Sequence, residues 1–457
     1  MNYIGTRGFD HGRDFAGALL DGLAPDGGLY VPETYPRRDD LGDLAAGPYH
    51  KLVEALLTDF GVGILGHDAV EAAAARTAAA FLRDGQTPLT QLSDTLWLLE
   101  LYHGPTLAFK DMAMQMMAPL TDAALARRGE TLTLVTATSG DTGAAAVRAF
   151  AGSERVRLIV FHPLGRVSPV QRLQMTTVEA GNVLNIGVEG DFDDCQRMVK
   201  FLLGDASLKE RGLISSVNSI NWGRLLGQVP YYLAAAAASG ADRPEFVVPT
   251  GNFGDAFAGW VARKVGGKVG HLHAAVNQND ALNQAINHGL YIRHRAVESA
   301  SVSMDVQAPS NFERLVFEAS GRSIEGTKGL FDAFHATGHV HLSPDLQAAL
   351  KAEVTASTIS EAETAETIRL TYDRFGKVIC PHTAVAMAAA LKRDQGQPQI
   401  VLATAHPAKF PEFVTQALGF APEVPDAIQC LNGLKETIRA MPNDDHEALN
   451  AVRAFTA

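Results

Sequence analysis

Cysteine is scarce in this chain: Cys195, Cys380 and Cys430 are the only three among 457 residues, and they stand far apart. An odd number with no Cys-x-x-Cys pair supports neither a disulfide framework nor a zinc ribbon, and it suits a reducing cytosol. Basic charge is short as well. Lysine and arginine total 39 against 51 acidic residues, a net charge of −12, so nothing draws the whole molecule to nucleic acid or an anionic membrane. An anionic substrate would need a local basic pocket. The most apolar run, residues 231–238, falls well short of the roughly 20 residues that a membrane span requires. The first ten residues carry no charged-then-apolar leader, so a soluble, untargeted, cytoplasmic protein is expected. His271 with His273, and His339 with His341, bring no third ligand and no His-Glu-x-x-His, so no metal site is expected. A Gly-x-Ser-x-Gly elbow and a Walker-type Gly-Lys-Ser/Thr are both absent.

What is present is an ordinary globular composition, 46 % hydrophobic and 20 % charged with 42 glycines, in a length that suggests about three domains. From residue 96 onward, short apolar runs alternate with helical patterns; the runs fall at 96–101, 132–137, 156–161, 183–188, 245–249, 272–276 and 399–403. That alternation predicts an α/β fold with parallel sheets covered by helices on both faces, and ligands outside the carboxyl ends of the strands. Residues 1–95 lack it and read as a separate, mainly helical N-terminal domain. The polar stretch 342–366 is expected to be an exposed helical region.

Four stretches carry chemistry. HGPTLAFKD, residues 103–111, sets Lys110 among Leu107, Ala108, Phe109 and Met112 at an expected helix start; burial there would favour the neutral amine, which attacks carbonyls. Alone, it favours a plainer reading in which Lys110 snorkels from a half-buried helix end and pairs with Asp111. TGNFGD, 250–255, is a glycine-bearing strand-to-helix turn whose amides suit a phosphate, although close packing alone also explains such turns. Asp255 is awkward beside a phosphate and is expected to face another partner. TSGDTG, 138–143, offers Ser139 and Thr142 hydroxyls and helix-start amides suited to a carboxylate, while capping alone would also account for it. VNSINWGR, 217–224, supplies amides, a hydroxyl and Arg224, which could hold a phosphate bidentately; a polar loop tied by its own hydrogen bonds is the alternative.

Lysine, hydroxyl loop and phosphate loop in this order resemble the pyridoxal-phosphate enzymes of the tryptophan-synthase-β type. The wording YIGTRG, LAPDGGLYVPE, HGPTLAFKD, SGDTG, NSINWGR, GNFGD and TAHPAKF resembles the threonine synthase family, in its long bacterial and fungal form, from Tyr3 to Phe410. The resemblance implies a large cofactor-binding α/β domain from 96–130 and 215–457, a small α/β domain at 131–214, and the N-terminal domain at 1–95. It implies pyridoxal 5'-phosphate as a Schiff base on Lys110, with Gly251, Asn252, Phe253, Gly254 and Asp255 around the cofactor phosphate and Thr404 at the pyridine nitrogen. Ser139, Gly140, Asp141 and Thr142 would hold the substrate carboxylate, and Asn218, Ser219 and Arg224 the substrate phosphate. The implied reaction converts O-phospho-L-homoserine and water to L-threonine and phosphate, in a monomer or homodimer. Asp141 stands where many relatives of the wider fold carry asparagine, which leaves the partner of the cofactor ring hydroxyl open. Within enzymes the rival is a threonine dehydratase or cysteine-synthase-like β-eliminase, and the phosphate cluster discriminates against it. A catalytically silent phosphate-ligand binding protein is the other class, against which the intact Lys110 argues.

Overall fold

The computed structural model describes residues 1–9, 12–393 and 396–456. Its strands are β1 (Tyr3–Gly5), β2 (Tyr30–Pro32), β3 (Leu89–Gln91), β4 (Leu96–Glu100), β5 (Leu132–Ala137), β6 (Val156–Pro163), β7 (Val183–Glu189), β8 (Leu213–Ser215), β9 (Glu245–Pro249), β10 (Leu272–Val276), β11 (Leu290–Ile292), β12 (His339–His341), β13 (Val354–Thr358), β14 (Gln399–Ala403) and β15 (Arg439–Pro442). Every apolar run expected from the alternation is a strand. The side chains of β4, β9, β10 and β14 are buried on both faces, as parallel strands under helices require.

One sheet has the order β13-β10-β9-β14-β4-β3, parallel except for the β3 edge, and the other the order β15-β7-β6-β5-β8, parallel throughout. This is the expected α/β architecture of two parallel-type sheets. In the first sheet β9, β14 and β4 are neighbours, so the turns leaving them, 250–253, 404–406 and 101–109, share one edge. The turn that leaves β5 is TSGDTG, ahead of the helix Asp141–Phe150.

Three features differ from the sequence expectations. The stretch 342–366 contains β13 between the helices Pro344–Glu353 and Glu361–Phe375; VTAST is polar because its buried face is small, and its backbone pairs fully with β10. β15 and the helix Asp445–Thr456 return to the second sheet, so the chain end does not stay with the large sheet as the 215–457 assignment has it. Met441, Ala448 and Val452 fill one apolar cluster with Cys195, Met198 and Leu202 of the helix Phe192–Gly204. Residues 1–95 share their core with the large sheet's helices, and β3 pairs with β4 across the expected boundary. Tyr3 and Phe60 pack on Trp222, with ring centroids 5.8 and 5.9 Å apart, and Asn221 donates to the Leu19 carbonyl at 2.8 Å. The N-terminal segment thereby braces the NSINWGR turn. Among the described residues, no helix is long and apolar enough to cross a membrane.

Candidate active site

Lys110 is the first residue of the helix Lys110–Arg128, and it is 9 % exposed. Its Nζ lies 3.3 Å from Asp141 Oδ2 and 4.6 Å from the centre of the Phe109 ring. Asp111 points elsewhere: its carboxylate accepts from the Thr106 amide at 2.8 Å and the Thr106 hydroxyl at 2.7 Å. Gly104 makes room for it, since a Cβ there would fall 2.6 Å from Asp111 atoms. The pairing of Lys110 with Asp111 is therefore corrected to a pairing with Asp141. Burial drives the Lys110 amine below its ordinary range; Asp141 opposes the shift, and the charges of Arg224 and Lys409 add to it.

Asp141 opens the helix Asp141–Phe150, whose start has no side-chain cap. Its Oδ1 receives Lys409 Nζ at 2.8 Å and Gln171 Nε2 at 2.7 Å. Burial alone would push this carboxyl up, but Lys409, Lys110 and the bond from Gln171 hold it far below the ordinary carboxylate range. Gly140, at φ 141°, lies against Gln171: a Cβ there would come within 2.3 Å. Thr138 Oγ1 accepts from the amides of Gly140 and Gly143 at 2.9 and 3.0 Å, which shapes the turn. Ser139 and Thr142 are half-buried. An ionised carboxylate committed to two lysines is no partner for a second carboxylate, so Asp141 can offer a substrate anion only its backbone amide.

At the TGNFGD turn, Phe253 adopts the left-handed region at φ 63°, and the helix Gly254–Lys264 begins without a side-chain cap, leaving amides for an anion. Gly251 abuts the Ser303 carbonyl oxygen, which a Cβ would approach to 2.5 Å. Asp255 faces away from the turn, accepting from the hydroxyls of Tyr231 and Tyr232. Burial pushes its carboxyl up to about 6 against those bonds, and Oδ2 is buried with no hydrogen-bond partner. Asn311 ties this turn to the NSINWGR turn: its Nδ2 donates to the carbonyls of Asn252 and Ser219, both at 3.1 Å. Asn218 and Ser219 are half-buried. Arg224 is 3 % exposed, donates through Nη1 to the Val217 carbonyl at 2.9 Å, and keeps a buried Nε without a partner. Burial lowers its guanidinium to about 10.

The late turn sits directly on the lysine loop. Phe109 N donates to the Thr404 carbonyl at 2.9 Å and His406 N to the Leu107 carbonyl at 3.0 Å, and Thr404 is buried. Residues the sequence reading did not assign complete the surroundings: Lys409, Gln171, Asn311, the Tyr231–Tyr232 pair and His382. His382 accepts from Ser303 N at 3.2 Å, and burial lowers it to about 3, so it is neutral, with Nδ1 unpartnered. Lys409 was visible in the TAHPAKF wording; the others had no local signal, because their partners lie 23 or more positions away. His273 bonds Thr355 and Ser357, and among the described residues no group of three potential ligands surrounds a metal position.

Family models match along nearly the whole chain: threonine synthase N terminus at residues 2–76, pyridoxal-phosphate dependent enzyme at 80–329, and threonine synthase, C-terminal, at 383–454. The threonine synthase of Pseudomonas aeruginosa is 40 % identical over 100 % of this chain and 98 % of its own length. The chain belongs to the threonine synthase family. The crystal structure of threonine synthase from Brucella melitensis with bound PLP is 41 % identical and matches 100 % of this chain and 99 % of its own, with a TM-score of 0.96. Threonine synthase from yeast matches 99 % and 98 % at 33 % identity, with a TM-score of 0.93. These threonine synthase folds share the arrangement of parallel sheets covered by helices described above.

Proposed function

We propose that this chain converts O-phospho-L-homoserine and water to L-threonine and phosphate, the last step of threonine biosynthesis, using pyridoxal 5'-phosphate held on Lys110. The observation that carries this reading is the buried Lys110 amine, its proton affinity lowered by burial, 3.3 Å from the ionised Asp141, in a site that also has an uncapped helix start at Gly254. The residues fit the cofactor. Gly251, Asn252, Phe253, Gly254 and Asp255 offer backbone amides to its phosphate, Lys110 its amine to the aldehyde carbon, and Thr404 a hydroxyl to the pyridine nitrogen. When bound, pyridoxal phosphate supplies an electron sink for negative charge next to the amino-acid α carbon.

The chain's own groups do the rest. Ser139, Thr142 and the amides of Gly140 and Asp141 hold the substrate carboxylate at the start of a helix. Arg224, through its unpartnered Nε, and Asn218 and Ser219 hold the γ phosphate and balance its charge as it departs. The Lys110 amine takes first the α proton and then a β proton; burial lowers its proton affinity and so favours the neutral form that a base needs. A threonine rather than a carboxylate at the pyridine nitrogen does not stabilise a protonated ring, which shifts more of the work to Lys110. The site takes a small-molecule substrate and suits a cytoplasmic enzyme, as monomer or homodimer.

Purified protein with added pyridoxal phosphate is expected to show a near-visible absorption that borohydride fixes to the chain and Lys110→Ala abolishes. It should release phosphate from O-phosphohomoserine, and not process O-acetylserine or threonine at a comparable rate. A protein that stays colourless, or that turns over only the latter two, would overturn this reading.

A further inference from the structure

Lys409 is the unexplained group at this site. Its side chain is 0 % exposed, and a buried ammonium is costly unless it is paired and hydrogen-bonded. It donates to Asp141 Oδ1 at 2.8 Å and to the Thr106 carbonyl at 2.6 Å, and that carbonyl also accepts Gln174 Nε2 at 3.0 Å. Asp141 therefore stands between two lysine nitrogens, Lys409 on one oxygen and Lys110 on the other. We propose that Lys409, acting through Asp141, is a positioning residue that sets how tightly the Lys110 nitrogen holds a proton. The inference rests on the cofactor role proposed for Lys110.

The argument is one of sharing. Asp141 Oδ1 takes short bonds from Lys409 and from Gln171 of the helix Pro169–Thr176, which leaves Oδ2 facing Lys110 at the longer 3.3 Å. A carboxylate so divided keeps Lys110 near it without stabilising its charged form as a sole counter-ion would. The other charged or titratable groups around the pair point the same way or are already engaged. Arg224, on the helix Trp222–Leu226, adds positive charge. Asp111, on the lysine's own helix, is bound to Thr106. Asp255, at the start of the helix Gly254–Lys264, is bound by two tyrosines, and His382 is neutral. The Cys380 thiol, pushed up by burial, adds no charge. Lys409 also ties the 103–109 loop, through Thr106, to the helix that carries Gln171 and Gln174, so position and charge are set together.

The test is a pH titration of the bound cofactor's absorption, without substrate, in Lys409→Met, Asp141→Asn and Lys409→Arg. Lys409→Met leaves Lys110 as the one cationic partner of Asp141, with Gln171 still bonded to Oδ1, and removes a repelling charge, so the midpoint should rise by about one to two pH units. Asp141→Asn leaves Lys110 facing two cations, so the midpoint should fall. Lys409→Arg restores the charge and should titrate with the natural protein. General disruption of the site would not shift the first two in opposite directions. A Lys409→Met midpoint at or below that of the natural protein overturns the proposal. Should a variant load no cofactor, the pH dependence of Lys110 acetylation in cofactor-free protein, read by mass spectrometry, must show the same opposed shifts. Failure of the natural protein to form the absorption at all would count against the cofactor role, while the acetylation titration still decides the part played by Lys409.

Discussion

Lys110 opens a helix, where free amides disfavour a positive charge, and it is buried as well; both effects favour a neutral amine. The sequence showed the apolar setting but not the partner. Asp111 stood next in line, and only the fold reveals that it is spent on Thr106 while Asp141, 31 positions on, faces the amine. Arg224 illustrates a residue whose type was readable and whose double duty was not: it anchors the Val217 carbonyl and also bears on Lys110. Arg224→Ala should raise the KM for phosphohomoserine about 10- to 100-fold, the worth of a charged hydrogen bond, while cofactor is still bound. Since Arg224 lowers the proton affinity of Lys110, the same variant should move the midpoint of the cofactor absorption upward in pH. Steady-state kinetics and the absorption titration check both; loss of bound cofactor instead would assign Arg224 to the wrong phosphate.

At the scale of elements, the turn 250–253 and the helix Gly254–Lys264 work because glycine keeps side chains out of a narrow space. Gly251→Ala would set a Cβ 2.5 Å from the Ser303 carbonyl oxygen and 3.2 Å from Met304 Cα, both backbone atoms that no rotamer change relieves. The turn must shift, at a cost of about 1–3 kcal/mol, and its amides shift with it. Cofactor affinity should fall at least tenfold, measured by fluorescence titration, while affinity unchanged from the natural protein would mean the turn does not hold the phosphate. The strand-to-helix turns were legible because β-branched runs end abruptly in small polar residues. Short edge strands were not: β3, β8 and β15 have too few residues to show a period, and β13 reads as polar because pairing with β10, not apolar side chains, defines it. The bonds of Asn311 were equally hidden, since they join carbonyls of two distant turns.

At the scale of the whole molecule, the site is assembled from two sheets. Lys110, Lys409, Thr404 and the 250–255 turn belong with the six-stranded sheet, and Asp141 and Gln171 with the five-stranded one. The second sheet depends on the chain's end. β15 covers the edge of β7, and Met441, Ala448, Leu449, Ala451 and Val452 bury themselves with the helix Phe192–Gly204. Their burial is worth on the order of 5–10 kcal/mol, comparable to the whole stability of a typical domain. Ending the chain after Ile438 should therefore loosen the five-stranded sheet while β9, β10 and β14 keep their packing. Hydrogen exchange should show β5, β6 and β7 losing protection and the large sheet retaining it. Lys110 would then lose its counter-ion along with Asp141, and the cofactor absorption should titrate at lower pH, as in Asp141→Asn. Uniform protection across both sheets in the truncated chain would show that the end segment merely rests on the small sheet.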